Sequence, residues 1–109
     1  VAHQIARKIE REPAELLAFL GRLESRGMVI RVSRNRFLLP ETVARLARVA
    51  EAASGANADG ITLAEFREKA DVGRNLAVEF LEFLDRKRMT RRFGAHRVLI
   101  ANTADIFGF

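Results

Sequence analysis

The sequence predicts a mainly α-helical protein with small β-hairpins, in which two copies of a helix-turn-helix domain follow one another and the first copy is incomplete. Apolar residues recur at helical spacing over most of the 109 residues, and two short β-prone runs interrupt that pattern. The chain also aligns with itself without a gap at an offset of 61 residues. The matched pairs include Phe19 and Phe80, Leu20 and Leu81, Leu23 and Leu84, Met28 and Met89, Arg31 and Arg92, Arg36 and Arg97, and Leu38 and Leu99. A repeat of that length is too long for a solenoid unit and indicates two copies of a small domain.

Two helices are expected at the beginning of the chain. Val1 to Ile9 has an apolar stripe at helical spacing. Pro13 suits the first position of a second helix, because its fixed φ angle is helical, and Gly27 ends that helix. The apolar face of the second helix consists of Leu16, Phe19, Leu20 and Leu23.

A β-hairpin is expected next, from the runs Met28–Val32 and Arg36–Leu39 around a short turn. Alternate residues of the first run are apolar and are expected in the core: Met28, Ile30 and Val32. The matching residues of the second copy are Met89, Arg91 and Phe93. An arginine therefore replaces an isoleucine, which fits either a functional basic residue or a side chain whose aliphatic stem covers the edge of a small core.

The second half begins with an Ala-rich helix from Glu41 to about Ala53. The stretch 55–60, with the sequence GANADG, is linker-like. Ile61 follows as a short strand.

Two further helices and a hairpin complete the second half. Thr62 and Glu65 have the spacing of a capping box, which starts a short helix to about Ala70. The run 74–88 is strongly apolar at helical spacing and predicts a longer helix. Thr90 to Ile100 predicts the second hairpin.

Three helices, a short strand and a hairpin in this order are typical of the winged-helix form of the helix-turn-helix domain. Residues 41–109 supply the complete set, and residues 1–40 supply the second and third helices and the wing of another copy. The chain also opens with Val-Ala-His-Gln, without Met or the pattern of a signal peptide. We therefore expect the sequence to be part of a longer protein.

The composition excludes several classes of function. Apolar residues make up 49% and charged residues 30%, as in a folded domain, and no apolar run is long enough to span a membrane. The absence of Cys excludes disulfides and Cys zinc sites and fits the cytoplasm. No nucleophile stands beside a base, and only two His are present. We therefore predict no catalytic residue, no metal site, no cofactor and no enzymatic activity for this region.

The net charge of +5 and the isoelectric point of about 10.9 favour a polyanionic partner. Within residues 86–97 six basic residues occur without an acidic one: Arg86, Lys87, Arg88, Arg91, Arg92 and Arg97. The same window also fits a solvated surface that complements a helix C-terminus. Charge alone leaves both interpretations open.

The long helix of the second half does not suit the usual binding of DNA. Its polar face carries Glu79, Glu82 and Asp85, which would face phosphates in the major groove. Its N-terminus carries Arg74 and Asn75, beside backbone N–H groups that suit an anion. This end and the basic wing together favour the backbone of an RNA hairpin.

Several runs of the second half carry a family resemblance: Thr62–Arg67, Gly73–Asn75, Leu81–Asp85, Thr90–Gly94 and Arg97–Leu99. Together they resemble the last winged helix of the bacterial selenocysteine-specific elongation factor. The likeness covers about residues 61–100, and residues 1–40 are more loosely similar to the preceding winged helix of that factor.

The resemblance implies a function in translation. The factor is a GTPase that carries selenocysteinyl-tRNA to the ribosome, and its last winged helix binds the mRNA stem-loop that directs UGA recoding to selenocysteine. The resemblance therefore implies binding of an mRNA stem-loop by residues 41–109 of a cytoplasmic monomer. The ribosome, the tRNA and GTP would be bound through other parts of the full-length factor.

The resemblance also implies which residues bind RNA. The family pattern S/G-R-K falls on Gly73, Arg74 and Asn75, where Asn75 replaces the usual Lys and removes one charge. The wing pattern T-R-R-x-G falls on residues 90–94. The predicted RNA-binding residues are Arg67, Arg74, Asn75, Arg91, Arg92, Gly94, His96 and Arg97.

Two other functions are compatible with the sequence. One is a DNA-binding winged-helix transcriptional regulator, against which the acidic face of the long helix argues. The other is a tandem winged-helix module that binds proteins and no nucleic acid.

Overall fold

The computed structural model describes residues 13–108 and divides the chain into two units, residues 1–43 and residues 44–109. The helix predicted over Val1 to Ile9 lies outside the described residues. No helix within residues 13–108 combines the length and the apolar character needed to cross a membrane.

The described part of the first unit before Pro40 contains one helix and one hairpin. Helix α1 spans Pro13–Ser25, and strands β1 (Ile30–Ser33) and β2 (Arg36–Leu38) pair antiparallel. The apolar face predicted for α1 provides the core, because Leu16 and Leu20 are buried together with Phe37 of β2. Phe19 and Leu23 pack against this cluster and are partly buried.

The turn after α1 corrects one prediction about the core. Gly27 has a φ angle of +72°, and its N–H group donates to the carbonyl of Glu24 at 3.0 Å. The N–H group of Met28 donates to the carbonyl of Leu23 at 3.0 Å, which completes a Schellman motif. Met28 therefore belongs to the helix cap rather than to the strand. Its side chain is 55% exposed, and its predicted place in the core is wrong.

The second unit contains four helices and three strands in the order of a complete winged helix. Helix α2 begins in the first unit, and most of its length lies in the second. The elements are α2 (Pro40–Gly55), β3 (Ile61–Thr62), α3 (Leu63–Ala70), α4 (Arg74–Arg86), β4 (Thr90–Phe93), β5 (His96–Leu99) and α5 (Thr103–Phe107).

The three strands form one antiparallel sheet in the order β3-β5-β4. The central strand β5 pairs Arg97 with Ile61 on one side and with Arg92 on the other. Ile61 is therefore the short strand that the sequence predicted. Ile61, Thr90 and Arg97 lie on the same face of this sheet, and all three are buried.

A row of phenylalanines forms the centre of the second unit. Phe66 of α3 stacks on Phe80 of α4 with ring centroids 6.0 Å apart, and Phe80 lies 5.6 Å from Phe83. Phe83 in turn stacks on Phe107 of α5 at 5.8 Å. These rings join three helices through side chains that bury a large apolar area.

Helix α5 is the one element of the second unit that we did not predict from the sequence. Its N-cap is Asn102, whose side chain accepts a hydrogen bond from the N–H group of Asp105 at 2.7 Å. Glu51 of α2 accepts the N–H group of Thr103 at 2.6 Å. This bond lowers the pKa of Glu51, with the Thr103 side chain and Arg48 as further causes. The short helix is thus fixed by long-range contacts that sequence periodicity does not show.

The predicted capping box is present at the start of α3. The Thr62 hydroxyl accepts the N–H group of Glu65 at 3.1 Å, and the Glu65 carboxylate accepts the N–H group of Thr62 at 3.0 Å. The Thr62 hydroxyl also donates to the Glu65 carboxylate at 3.0 Å. The two hydrogen bonds that this carboxylate accepts, from the Thr62 backbone and from the Thr62 side chain, lower the pKa of Glu65. The cap fixes the position at which β3 becomes α3.

Gly60 brings the linker-like stretch against the central strand. Its φ angle is +90°, and a Cβ atom there would overlap the carbonyl oxygen of Arg97. Gly55 has open space around its Cα atom. The turn before β3 therefore requires glycine at one of these two positions only.

We expect Gly60→Ala to destabilise the fold by about 2 kcal/mol or more, because the methyl group meets backbone at a left-handed φ angle. The matched control Gly55→Ala should change the stability by less than about 1 kcal/mol. Urea denaturation of both variants measures the difference. Equal stability of the two variants would contradict the geometry.

Candidate nucleic-acid interface

Helices α3 and α4 meet at a tight turn that exposes the beginning of α4. Asp71 adopts a φ angle of +56°, and its N–H group donates to the carbonyl of Glu68 at 3.2 Å. Arg45 of α2 donates from Nη1 to the carbonyl of Ala70 at 3.2 Å, which fixes the end of α3 from a third helix. The turn is therefore held by the backbone and by one arginine.

The N-terminus of α4 is open to an anion. Its N-cap is Gly73, which offers no side-chain hydrogen bond, and the first turn contains no acidic residue. Arg74 and Asn75 are exposed in this turn, as the predicted phosphate contacts require. Backbone N–H groups, the positive end of the helix dipole and one guanidinium group thus occur together.

The wing ends in a two-residue loop. Phe93 and His96 are paired residues of β4 and β5, and Gly94 between them has a φ angle of +60°. A glycine with positive φ at the first loop position is typical of a type II′ turn. Arg92 donates from Nε to the carbonyl of Gly94 at 2.9 Å. Gly94 therefore shapes the wing and orients an exposed arginine.

The outer face of the wing carries a mixed aromatic and basic surface. Arg91 and Phe93 are exposed, and His96 is half-buried opposite Phe93. The Phe93 side chain is 57% exposed, although the sequence pattern placed positions 91 and 93 on the face of Met89. Met89 itself is fully buried but precedes the strand, so its burial does not extend to positions 91 and 93.

Arg97 is the predicted RNA-binding residue whose position differs most from the expectation. It is 7% exposed, and its Nε donates to both carboxylate oxygens of Asp85 at 3.0 and 3.2 Å. The Thr90 hydroxyl donates to the same carboxylate at 2.7 Å. This guanidinium group is thus buried and paired with a carboxylate, and it holds α4 against the wing. The RNA contact of Arg97 stays a prediction.

The same ion pair changes the interpretation of the acidic helix face. Asp85 is bonded to two strands and does not stand on an open polar surface. Glu82 is exposed, and Glu79 is half-buried with interactions of its own. The face is thus less negative toward solvent than three unpaired carboxylates would make it.

The first unit shows a different arrangement of the corresponding charges. Glu24, which matches Asp85, pairs with Arg31 at 3.3 Å in a solvent-exposed ion pair. Arg31 also lies 4.5 Å over the ring of Phe37 and donates to the carbonyl of Arg34. Arg31 matches Arg92 in the repeat. In the first unit Arg31 pairs with the acidic residue of the helix, Glu24. In the second unit the corresponding acidic residue, Asp85, pairs with Arg97 instead of Arg92.

Arg67 lies at the turn before α4, where its carbonyl accepts the N–H group of Val72 at 3.2 Å. It is exposed on α3 and shares a shallow groove with Glu68 and Asp71. Two carboxylates beside one guanidinium group make this groove unfavourable for a phosphate. Within residues 13–108 the structure also brings together no cluster of three His, Cys, Asp or Glu side chains suited to a metal ion.

The order of the elements, the β3-β5-β4 sheet and the exposed wing make the second unit a winged helix. The family model described as "Elongation factor SelB, winged helix" matches residues 55–99. The solved mRNA-binding domain of elongation factor SelB from E. coli, in complex with SECIS RNA, has the same fold with a TM-score of 0.82. It is 22% identical in sequence, and the match covers 90% of this chain and 80% of that domain. A search of curated proteins finds no match.

These comparisons confirm the winged-helix fold and the resemblance to the elongation factor family that the sequence predicted. The family model covers the α3-turn-α4 segment and both strands of the wing. The matched segment thus contains every residue that we predicted to bind RNA.

We expect Arg97→Ala to destabilise the second unit by about 2 kcal/mol, because it leaves Asp85 without its cation in a partly buried place. Arg92→Ala removes an exposed side chain and should change the stability by no more than about 0.5 kcal/mol. Thermal and urea denaturation of the two variants test this contrast. A neutral effect of Arg97→Ala would show that the ion pair does not hold the wing.

Proposed function

We propose that this chain is the mRNA-binding part of a selenocysteine-specific elongation factor and that its second winged helix binds an mRNA stem-loop. The observation that carries the proposal is the open N-terminus of α4, which occurs on the same unit as an exposed basic wing. The likeness to a SelB domain that was solved with SECIS RNA supports it. Catalysis is not part of the proposed function.

Two groups of residues bind the RNA, one at the N-terminus of α4 and the other on the wing. Arg74, Asn75 and the first N–H groups of α4 bind phosphates of the stem. Arg91 and Arg92 provide charge on the wing, whose shape depends on Gly94. Arg67 contributes little, because its carboxylate neighbours offset its charge.

The outer face of the wing suits an unpaired base. Phe93 offers an exposed aromatic surface, and His96 is its partner across the strands. Proteins that read RNA stack unpaired bases on such side chains, whereas a base inside a stem presents no open face. This surface therefore favours a stem with a loop or bulge over a plain duplex.

The remaining parts of the proposal concern the full-length factor. GTP, selenocysteinyl-tRNA and the ribosome would be bound by other parts of that factor, in the cytoplasm, and the protein would act as a monomer without a cofactor in this region. The winged helix expected from residues 1–40 would connect the RNA-binding unit to those parts.

A selection from a pool of RNA hairpins with randomised loops tests the proposal directly. We expect recovery of one class of stem-loop, which a competing DNA duplex does not displace. The logarithm of its affinity should fall linearly with the logarithm of salt concentration, because bound phosphates release counterions. Preferential binding to the DNA duplex would favour a transcriptional regulator, and loss of all nucleic-acid binding would favour a protein-interaction module.

We expect Asn75→Lys to increase RNA affinity, because it adds a cation to the exposed first turn of α4, where the family has Lys. One additional phosphate contact steepens the salt dependence by about 0.7 to 0.9 in the logarithmic slope. Filter binding at several salt concentrations measures both quantities.

Asn35→Lys is the matched control, because it adds the same charge in the exposed turn of the first hairpin. It should leave the slope unchanged. Equal effects of the two substitutions would mean that total charge, rather than the N-terminus of α4, determines the affinity.

A further inference from the structure

Arg88 occupies a backbone conformation that favours glycine. Its φ angle is +62°, and its N–H group donates to the carbonyl of Asp85 at 3.1 Å. The N–H group of Met89 donates to the carbonyl of Leu84 at 3.0 Å. These two bonds form a Schellman motif at the end of α4, whose left-handed position is usually glycine.

The helix of the first copy, α1, ends in the same backbone motif as α4. Gly27 stands at the matching position, with a φ angle of +72° and the same two hydrogen bonds after α1. The second copy therefore accepts backbone strain that glycine would remove, in order to place an arginine there. Backbone strain of this kind is concentrated at functional sites, which points to a role for the Arg88 side chain.

Arg88 lines a shallow cleft at the base of the wing. The cleft has a volume of about 320 Å³ and is lined by Asp85, Arg88, Thr90, Arg91, Arg92 and Ile100. All three arginines are exposed. The one carboxylate of the cleft belongs to Asp85, which already accepts hydrogen bonds from Thr90 and Arg97. The charge that remains toward solvent is therefore positive.

The cleft suits a phosphate of a nucleic-acid backbone. Guanidinium groups bind phosphate oxygens through paired hydrogen bonds, and three arginine residues line this one cleft. The cleft lies at the C-terminal end of α4, and Arg74 lies at the other end of this 13-residue helix. A helix of that length separates the two places by about 20 Å. One phosphate cannot occupy both, so the cleft would hold a different part of the strand.

We propose that Arg88, together with Arg91 and Arg92, forms a second phosphate-binding site for the RNA backbone, distinct from the N-terminus of α4. This inference rests on the proposed function. A purely structural role is the alternative, because a cation near a helix C-terminus also complements the helix dipole.

Arg88→Gly separates the two roles, because it relieves the left-handed strain and removes the guanidinium group at the same time. We expect a midpoint of urea unfolding equal to or higher than that of the wild type. We expect the affinity for the stem-loop recovered by the selection to fall about tenfold and the logarithmic salt slope to decrease by about 1. The 109-residue chain and the wild-type RNA are used throughout.

Lys69→Ala is the control, because it removes an exposed positive charge from α3, outside the cleft. Its affinity for RNA should change less than twofold. Unchanged binding by Arg88→Gly, an equal loss for Lys69→Ala, or a lower unfolding midpoint for Arg88→Gly would each overturn the second site. These results leave the proposed function intact if the wild-type chain binds the stem-loop. If the wild-type chain selects no RNA, both proposals fail.

Discussion

The carboxylate of Asp85 joins the long helix α4 of the winged helix to its wing. It accepts hydrogen bonds from Thr90 of β4 and Arg97 of β5, so both strands of the wing are attached to the last turns of α4. The carbonyl of Arg97 in turn accepts a hydrogen bond from Ser54 of α2 at 3.3 Å, and Gly60 lies against the same carbonyl. A buried charge of this kind requires a partner of good geometry, because an unpaired one is costly. The direction of the wing, and with it the position of every proposed RNA contact on the wing, follows from this cluster.

The two copies of the repeat show how one backbone motif acquires different surfaces. Helices α1 and α4 end in the same Schellman motif, with Gly27 in one and Arg88 in the other. The helix acid then pairs differently, since Glu24 bonds an exposed arginine and Asp85 bonds a buried one. In the second copy this leaves the exposed arginines of the wing next to a carboxylate that already has its partners. The first copy thus has an exposed ion pair between Glu24 and Arg31, whereas the second copy has a cleft lined by three arginines.

The candidate site was predictable in part. Arg74 and Asn75 are where helical periodicity and the turn at Gly73 placed them, because an exposed first turn depends on local structure alone. The burial of Arg97 was not predicted, since a strand pattern shows which residues share a face but not which face is covered. Phe93 was expected on the face of Met89 for the same reason.

The sequence by itself determined the repeat, the limits of most helices and strands and the capping box, because each depends on local spacing. Its total charge predicts a polyanionic partner. Only the tertiary structure decided which arginines meet solvent. Arg92 and Arg97 are paired across β4 and β5 and have the same chemistry, yet one is exposed near the end of the wing and the other is buried against α4. Helix α5 also depends on tertiary contacts, with Phe83 and Glu51, that lie far away in the sequence. Burial is a property of the packed chain, and for this reason the charge pattern predicts a class of partner while only the fold shows which arginines are exposed.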